Sequence, residues 1–119
     1  MNNLYKKGLH IISDFSVSNP EILKDSSIVK RFFNNAISAN GLVNVGEIYH
    51  EFENSGYTAV ICLTESHISI HTWPEFNKVT FDVFLSNYLK ENDIIVESIH
   101  NELIKLLGGV EINTVKLNR

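Results

Sequence analysis

The chain has 119 residues, 44% of them hydrophobic, and its formal net charge is −4. This length suits one domain over residues 1–119, and the acidic balance, with no basic run longer than two residues, disfavours binding to nucleic acid or to a membrane surface. The longest apolar stretch, residues 59–63, is far shorter than the roughly 20 residues of a membrane span, and no apolar signal segment opens the chain. The single cysteine, Cys62, excludes an internal disulfide. We therefore expect a cytoplasmic protein.

The first third of the chain predicts a strand and a helix. Residues 9–16 alternate loosely between apolar and polar side chains, which favours a strand. Asn19 and Pro20 then mark a helix start, with the asparagine at the cap and the proline in the first turn. One amphipathic helix is predicted up to Asn40-Gly41, where glycine favours the left-handed conformation that ends a helix. Its apolar residues recur at short helical spacings and are Ile22, Leu23, Ile28, Val29, Phe32, Phe33, Ala36 and Ile37.

The remainder predicts four strands, a second helix and a last strand. In the third of the four strands, Ile68 and Ile70 point to one side, and His67, Ser69 and His71 to the other. The strands cover residues 42–52, 57–63, 67–73 and 78–85, with a turn at 54–56; the helix covers 93–107 and ends at 108–109, and the last strand covers 110–117. The order β-α-β-β-β-β-α-β predicts an α+β fold, a two-layer sandwich of antiparallel sheet and helices.

Residues 64–75, with the sequence TESHISIHTWPE, concentrate chemically active side chains. They could be the solvent face of a strand. A metal site would use His67 and His71 with Glu65 or His50, but two residues four apart on a strand lie about 13 Å apart, too far for one zinc ion. A hydrolytic serine–histidine pair lacks the Gly-x-Ser-x-Gly turn that exposes such a serine. Residue chemistry alone therefore favours neither a metal site nor a hydrolase.

The same segment resembles the signature of the bacterial and archaeal S-adenosylmethionine decarboxylases, which are small pyruvoyl-dependent enzymes of polyamine synthesis. The resemblance extends from about residue 8 to residue 86, and the last helix and strand follow by position only. The segments that carry it are ESHISIHTWPE at 65–75, GLHIISDF at 8–15, PEIL at 20–23, GYTAV at 56–60 and FDVF at 81–84.

The resemblance implies that the chain is a proenzyme that cuts itself between Glu65 and Ser66 into residues 1–65 and 66–119. The Ser66 hydroxyl would attack the preceding carbonyl and turn the amide into an ester. Removal of the serine α-proton would then expel the upstream chain and leave a pyruvoyl group at position 66. This group would form a Schiff base with the substrate amine, so no pyridoxal phosphate and no metal are implied.

The resemblance also implies roles for individual side chains. His71 matches the family histidine that takes the α-proton, and a neutral imidazole is a suitable base near physiological pH. Thr58 matches a hydroxyl residue that steadies the tetrahedral species during the acyl shift. These two residues are expected to serve processing.

Substrate binding is implied for a second group of residues. Phe52 and Trp73 match two aromatic residues that sandwich the adenine ring, and a ring face also attracts the sulfonium cation of S-adenosylmethionine. Glu75 matches a carboxylate that accepts hydrogen bonds from the ribose hydroxyls. His67 also matches, in a supporting role.

The sequence departs from the family in two places. Ser86, followed by Asn87, stands where the family has the cysteine that reprotonates the decarboxylated carbon, and an alcohol gives up a proton far less readily than a thiol. Cys62 is no substitute, since its strand position predicts that it faces the core. Asn77 lies in a turn where the family usually has glycine.

The resemblance therefore implies a homodimeric decarboxylase of S-adenosylmethionine that supplies the aminopropyl donor for spermidine synthesis. Two alternatives stay open. One is a pyruvoyl-dependent decarboxylase of arginine or ornithine, against which Phe52, Trp73 and Glu75 argue. The other is a non-catalytic S-adenosylmethionine-binding homologue, suggested by Ser86.

Overall fold

The computed structural model describes residues 4–119 as a six-stranded antiparallel sheet with two α-helices on one face. The strand order across the sheet is β2-β3-β4-β5-β1-β6. Among residues 4–119, neither helix has the length and hydrophobicity needed to cross a membrane. The elements are β1 (Leu9–Val17), a 3₁₀ helix (Pro20–Leu23), α1 (Ser27–Ala39), β2 (Asn44–Glu51), β3 (Tyr57–Leu63), β4 (Ser66–Trp73), a 3₁₀ helix (Pro74–Phe76), β5 (Lys78–Leu85), α2 (Asp93–Leu107) and β6 (Gly109–Asn118).

The predicted fold class and element order are confirmed, but the predicted first helix is divided in two. A 3₁₀ helix covers Pro20–Leu23, and α1 begins only at Ser27. Between them, the Asp25 carboxylate accepts the Ser27 N–H at 2.9 Å, and the Ser26 N–H donates to the Glu51 carboxylate at 2.8 Å. These side-chain bonds replace helical backbone bonds, which is how short polar residues interrupt a helix.

The helices cover one face of the sheet. The ring of Phe81 in β5 stacks on Phe33 of α1 at a centroid distance of 6.1 Å and on His100 of α2 at 6.4 Å. Phe81 lies opposite Ile70 of β4 and Ser13 of β1, so these residues share its face. The core of the protein therefore lies between this face and the two helices.

The other face of the sheet, which we call the open face, carries no helix among residues 4–119. His67, Ser69 and His71 lie on it, as the alternation predicts. Apolar side chains are also exposed there, and the register places Ile12 opposite Val115 and Ile48 opposite Val60. They include Ile12, Ile48, Val60, Val115 and Leu117.

The prediction that Cys62 faces the core is wrong. Cys62 is exposed and lies opposite His67 of the open face. Its neighbours Ile61 and Leu63 are buried, and successive residues of a strand point to opposite faces. Cys62 is therefore an outward-facing position within an otherwise apolar strand.

Two turns depend on backbone geometry. Asn77 adopts φ +53°, the left-handed conformation that asparagine tolerates better than most residues, which explains how it replaces a glycine. At Gly56, a Cβ would collide with Thr72. The Thr72 hydroxyl donates to the Leu23 carbonyl at 2.7 Å and accepts the Tyr57 N–H at 2.8 Å, so this close approach joins the first 3₁₀ helix to β3 and β4.

Candidate active site

The hairpin between β3 and β4 is strained at Ser66. Ser66 has φ +125°, a conformation that costs about 1–3 kcal/mol for a residue with a side chain. The strand pairing fixes it in place, with Leu63 opposite on one side and Leu85 on the other. The strand pairing therefore holds the residue that follows the Glu65–Ser66 peptide bond in an unfavourable backbone conformation.

A backbone donor points at the carbonyl of this bond. The N–H of Ser86, just after β5, donates to the Glu65 carbonyl oxygen at 2.8 Å. An N–H in this position stabilises negative charge that develops on that oxygen when a nucleophile attacks the carbonyl carbon. The structure thus brings together Glu65, Ser66 and Ser86 at one end of β4.

A second cluster lies at the other end of β4. Oγ1 of Thr58 is 3.0 Å from Nδ1 of His71, in hydrogen-bond contact. Beside this pair is a pocket of about 410 Å³, whose rim includes the half-exposed rings of Phe52 and Trp73. The pocket is lined by Phe52, Ser55, Thr58, His71, Thr72, Trp73 and Glu75. The structure therefore groups all the predicted substrate-binding residues except His67 with the two predicted processing residues.

One chain does not bring the two clusters into contact. Ser66 and His71 are five residues apart on β4, which corresponds to about 16 Å along an extended strand. His71 lies opposite Thr58 and Thr80, whereas Ser66 lies beside Leu85. The imidazole of His71 therefore cannot reach the α-carbon of Ser66 in the same chain.

A third cluster surrounds Asp82 on the open face. Its carboxylate accepts hydrogen bonds from Nε2 of His10 at 3.0 Å and Nε2 of His67 at 3.3 Å, and from the Ser69 hydroxyl. Burial by itself would raise the pKa of Asp82, but the bonds from Ser69, His10 and His67 outweigh it and hold that pKa below its usual value of 3.8. His67 is thus hydrogen-bonded to Asp82 and does not line the pocket beside His71.

The ligand atoms of His10, His67 and Asp82 lie within 4.8 Å of one another, a spacing that a metal ion can bridge. However, Nη1 of Arg119 is 3.3 Å from Nδ1 of His10. Arginine has no acceptor, so Nδ1 must accept and Nε2 must carry the hydrogen that it donates to Asp82. The cluster is therefore built as a hydrogen-bond network, and a metal would have to break it.

We expect Asp82→Asn to lower the free energy of unfolding by about 1–3 kcal/mol at pH 7, because hydrogen bonds to the charged carboxylate are lost. Because the pKa of Asp82 is lower in the folded state than its usual value of 3.8, its carboxylate stabilises the fold at pH values above 3.8. This stabilisation is lost as the pH falls through the folded-state pKa. Urea unfolding at pH 7 and pH 3 measures both effects. The difference between variant and wild type should shrink at pH 3; a difference independent of pH contradicts the assignment. Asp14→Asn is the control, since within the described part of the chain Asp14 forms only a 3.9 Å surface pair with Lys78.

Sequence reasoning missed several residues of these clusters. Ser55, assigned only to a turn, donates to Glu75 at 3.3 Å. His10 and Asp82 occupy polar positions within GLHIISDF and FDVF, two of the segments that carry the family resemblance, and this membership is the signal that could have found them. Asn92, at the start of α2, contacts Glu65, and nothing in its local sequence indicates that contact.

Comparison with known proteins agrees with this geometry. The family model for S-adenosylmethionine decarboxylase matches residues 9–119. A protein from Hydrogenobaculum sp. (strain Y04AAS1), named S-adenosylmethionine decarboxylase proenzyme, is 38% identical over 96 residues, covering 77% of this chain and 72% of its own. A protein of the same name from Picrophilus torridus is 30% identical over 112 residues, covering 94% and 83%.

The solved structures include a similar fold. The crystal structure of the adenosylmethionine decarboxylase from Aquifex aeolicus VF5 matches with a TM-score of 0.77 and 25% sequence identity, covering 98% of this chain and 91% of that one. The family model spans nearly the whole chain, and the match to a solved fold is equally complete. The chain belongs to the S-adenosylmethionine decarboxylase family.

Proposed function

We propose that this protein is a self-processing, pyruvoyl-dependent decarboxylase of S-adenosylmethionine. The observation that carries the proposal is the strained Ser66, whose preceding carbonyl accepts the Ser86 N–H at 2.8 Å. A serine in a strained turn with a donor on its own scissile carbonyl is the arrangement that intramolecular acyl transfer requires. Family membership and the pocket at the other end of β4 support the same function.

Processing uses the chain's own residues. Oγ of Ser66 forms a bond to the Glu65 carbonyl carbon, the C–N bond breaks, and an ester replaces the amide. The Ser86 N–H stabilises the negative charge on the Glu65 oxygen, and relief of the positive φ at Ser66 favours the forward direction. A base then removes the Ser66 α-proton, and the main-chain carboxylate of Glu65 leaves as the ester C–O bond breaks. The dehydroalanine that remains at position 66 takes up water and loses ammonia, which yields the pyruvoyl group.

The surroundings of position 66 fit a pyruvoyl group. When formed, it supplies the electron-withdrawing carbonyl that decarboxylation needs, without pyridoxal phosphate. The Ser86 N–H stays close to this end of β4, where it holds the Glu65 carbonyl before the cut. No metal ligand set is needed for these steps.

The pocket at the other end of β4 suits an adenosyl group. Its volume of about 410 Å³ is within the range of small-molecule sites. The exposed faces of Phe52 and Trp73 offer stacking surfaces for a base, and the Glu75 carboxylate offers an acceptor for hydroxyl groups. Ser55 donates to Glu75 and so orients that acceptor. These features favour S-adenosylmethionine over arginine or ornithine, which have no planar base.

We further propose that two copies form each site. The distance of about 16 Å along β4 between Ser66 and His71 means that a second chain must supply the base to Ser66. The apolar side chains of the open face, Ile12, Val60 and Leu117 among them, would be buried when two open faces pack together. Such a homodimer would let Thr58 and His71 of one copy act on Ser66 of the other.

Ser86 bears on the turnover of the mature enzyme. A serine hydroxyl is a weak acid, so protonation of the decarboxylated carbon is expected to be slow unless His71 or water supplies the proton. The product would serve spermidine synthesis in the cytoplasm. A non-catalytic homologue would bind S-adenosylmethionine without releasing carbon dioxide.

Intact mass spectrometry of the purified protein under denaturing conditions tests processing directly. We expect two chains, residues 1–65 and 66–119, the second carrying a pyruvoyl end. Incubation of the cleaved protein with carboxyl-labelled S-adenosylmethionine, arginine and ornithine then identifies the substrate by released carbon dioxide. One uncut chain that still binds S-adenosylmethionine would replace the proposal with the non-catalytic binding protein.

A further inference from the structure

We infer that Asn92 is a positioning residue for self-cleavage. Its side-chain amide joins Glu65, on the upstream side of the scissile bond, to Ser86, whose N–H holds the scissile carbonyl. This inference rests on the proposed function, because it assigns Asn92 a part in the cleavage that the proposal describes.

The contacts of Asn92 close a ring around the scissile carbonyl. Nδ2 of Asn92 donates to Oε1 of Glu65 at 2.8 Å and to the Ser86 carbonyl oxygen at 2.8 Å. The Ser86 N–H in turn donates to the Glu65 carbonyl at 2.8 Å. Both hydrogens of the Asn92 amide are therefore used, and the backbone and side chain of Glu65 are held by the same pair of residues.

The side chain does not serve the usual purpose of an asparagine at a helix start. A capping asparagine accepts a hydrogen bond from a backbone N–H of the first helical turn. Asn92 precedes α2, yet its side chain accepts no such bond. Its Oδ1 is buried and has no hydrogen-bond partner within residues 4–119. An unpaired buried oxygen lowers stability, so the orientation of this amide is set by its two donors rather than by helix capping.

Glu65 depends on this amide. The residue is only 6% exposed, and a buried carboxylate is costly unless it is paired. Within residues 4–119, no ion pair at up to 4.0 Å involves Glu65. The Asn92 amide therefore supplies the hydrogen bond that keeps the Glu65 side chain, and with it the scissile carbonyl, in one orientation.

The loop before α2 holds Asn92 rigidly. The Asn92 N–H donates to Oδ1 of Asn87 at 2.7 Å. Nδ2 of Asn87 donates to the Lys7 carbonyl at 2.8 Å and to the Asp93 carboxylate at 3.0 Å, and that carboxylate also accepts the Leu9 N–H at 3.2 Å. Hydrogen bonds to β1 and to the start of α2 thus fix the position of the Asn92 amide, and both elements pack in the core.

A time course of cleavage after cell-free synthesis, followed by intact mass, tests the inference. We expect Asn92→Ala to cleave about tenfold to a hundredfold more slowly than wild type, because misplacing a reacting group by about 1 Å costs up to about a hundredfold in rate. Asn92→Ser keeps a residue type that is favoured at helix starts, and its cleavage should be slowed as well. This variant keeps the test valid if the alanine variant fails to fold. The control is Asn40→Ala: among residues 4–119 the Asn40 side-chain amide donates only to the Ala36 carbonyl, so its loss should leave cleavage unchanged.

A double-mutant cycle separates positioning from a general loss of stability. If Asn92 acts through Glu65, Asn92→Ala should slow a Glu65→Ala chain less than it slows the wild type, while a merely structural effect would multiply the two losses. If the wild type cleaves and both Asn92 variants cleave at the same rate, the role of Asn92 is overturned. Losses that multiply in the double mutant overturn it as well. Both outcomes leave the proposed function standing. A wild-type chain that never cleaves overturns the proposed function and this inference together.

Discussion

Co-expression of a Ser66→Ala chain with a His71→Ala chain should restore a self-cleavage that neither variant shows alone. The Ser66→Ala chain lacks the nucleophile, and removing a general base slows proton transfer by about 10²–10⁴-fold. Because Ser66 and His71 lie at opposite ends of β4, a mixed dimer can combine the intact Ser66 of one chain with the intact His71 of the other. Chains tagged to differ in mass allow the cut to be assigned.

Only the His71→Ala chain, which retains Ser66, should be cut in the mixture. The control replaces the Ser66→Ala partner with a chain that carries both substitutions, and the mixture should then remain uncut. Cleavage of the His71→Ala chain by itself would show that His71 is not the base. An uncut co-expressed pair would contradict the exchange of residues between two copies.

Ser86→Cys should raise the steady-state rate of carbon dioxide release from S-adenosylmethionine about a hundredfold or more, because a positioned general acid contributes about 10²–10⁴-fold and a thiol has a pKa of about 8.5. The rate of self-cleavage should change little, since position 86 acts on the Glu65 carbonyl through its backbone N–H and the substitution keeps that group. Carbon dioxide release over many turnovers, which slow reprotonation would limit, and the cleavage time course measure the two effects separately.

Ser86→Ala is the matched control for this substitution. It also keeps the backbone N–H, so it should cleave like the wild type, but it carries no side-chain donor and should not gain turnover. No gain from the cysteine variant would mean that protonation is not the slow step, or that His71 or water already supplies the proton.

Most of the fold could be predicted from the sequence because each element has a strong local pattern. The predicted bounds of β3, β5 and α2 agree with those of the structure, since alternating strands and a glycine-terminated helix leave little ambiguity. The first helix was predicted too long because Ile22 and Leu23 continue the apolar pattern across the break. The bond from the Ser26 N–H to Glu51, a residue distant in sequence, favours that break.

The candidate site was predicted residue by residue from a resemblance, and its local pairs are adjacent for a simple reason. Thr58 and His71 lie on neighbouring antiparallel strands joined by a short hairpin, so their contact follows from the register. Nothing in the local pattern placed Cys62, since an apolar strand does not reveal which of its faces is covered. The helices cover the side of Ile61 and Leu63, and Cys62 is left outside.

Local patterns in the sequence determined the strands and most of the helical residues, because these depend on neighbouring side chains and on backbone propensity. The bond proposed for cleavage and the residues proposed for the pocket came from the family resemblance instead. Tertiary structure decided which of them meet. The extended length of β4 separates Ser66 from His71, the return of β5 brings the Ser86 N–H to the Glu65 carbonyl, and the loop before α2 delivers Asn92 to the buried Glu65 side chain. Contacts between residues far apart in sequence depend on how the elements pack, and no local pattern encodes that packing.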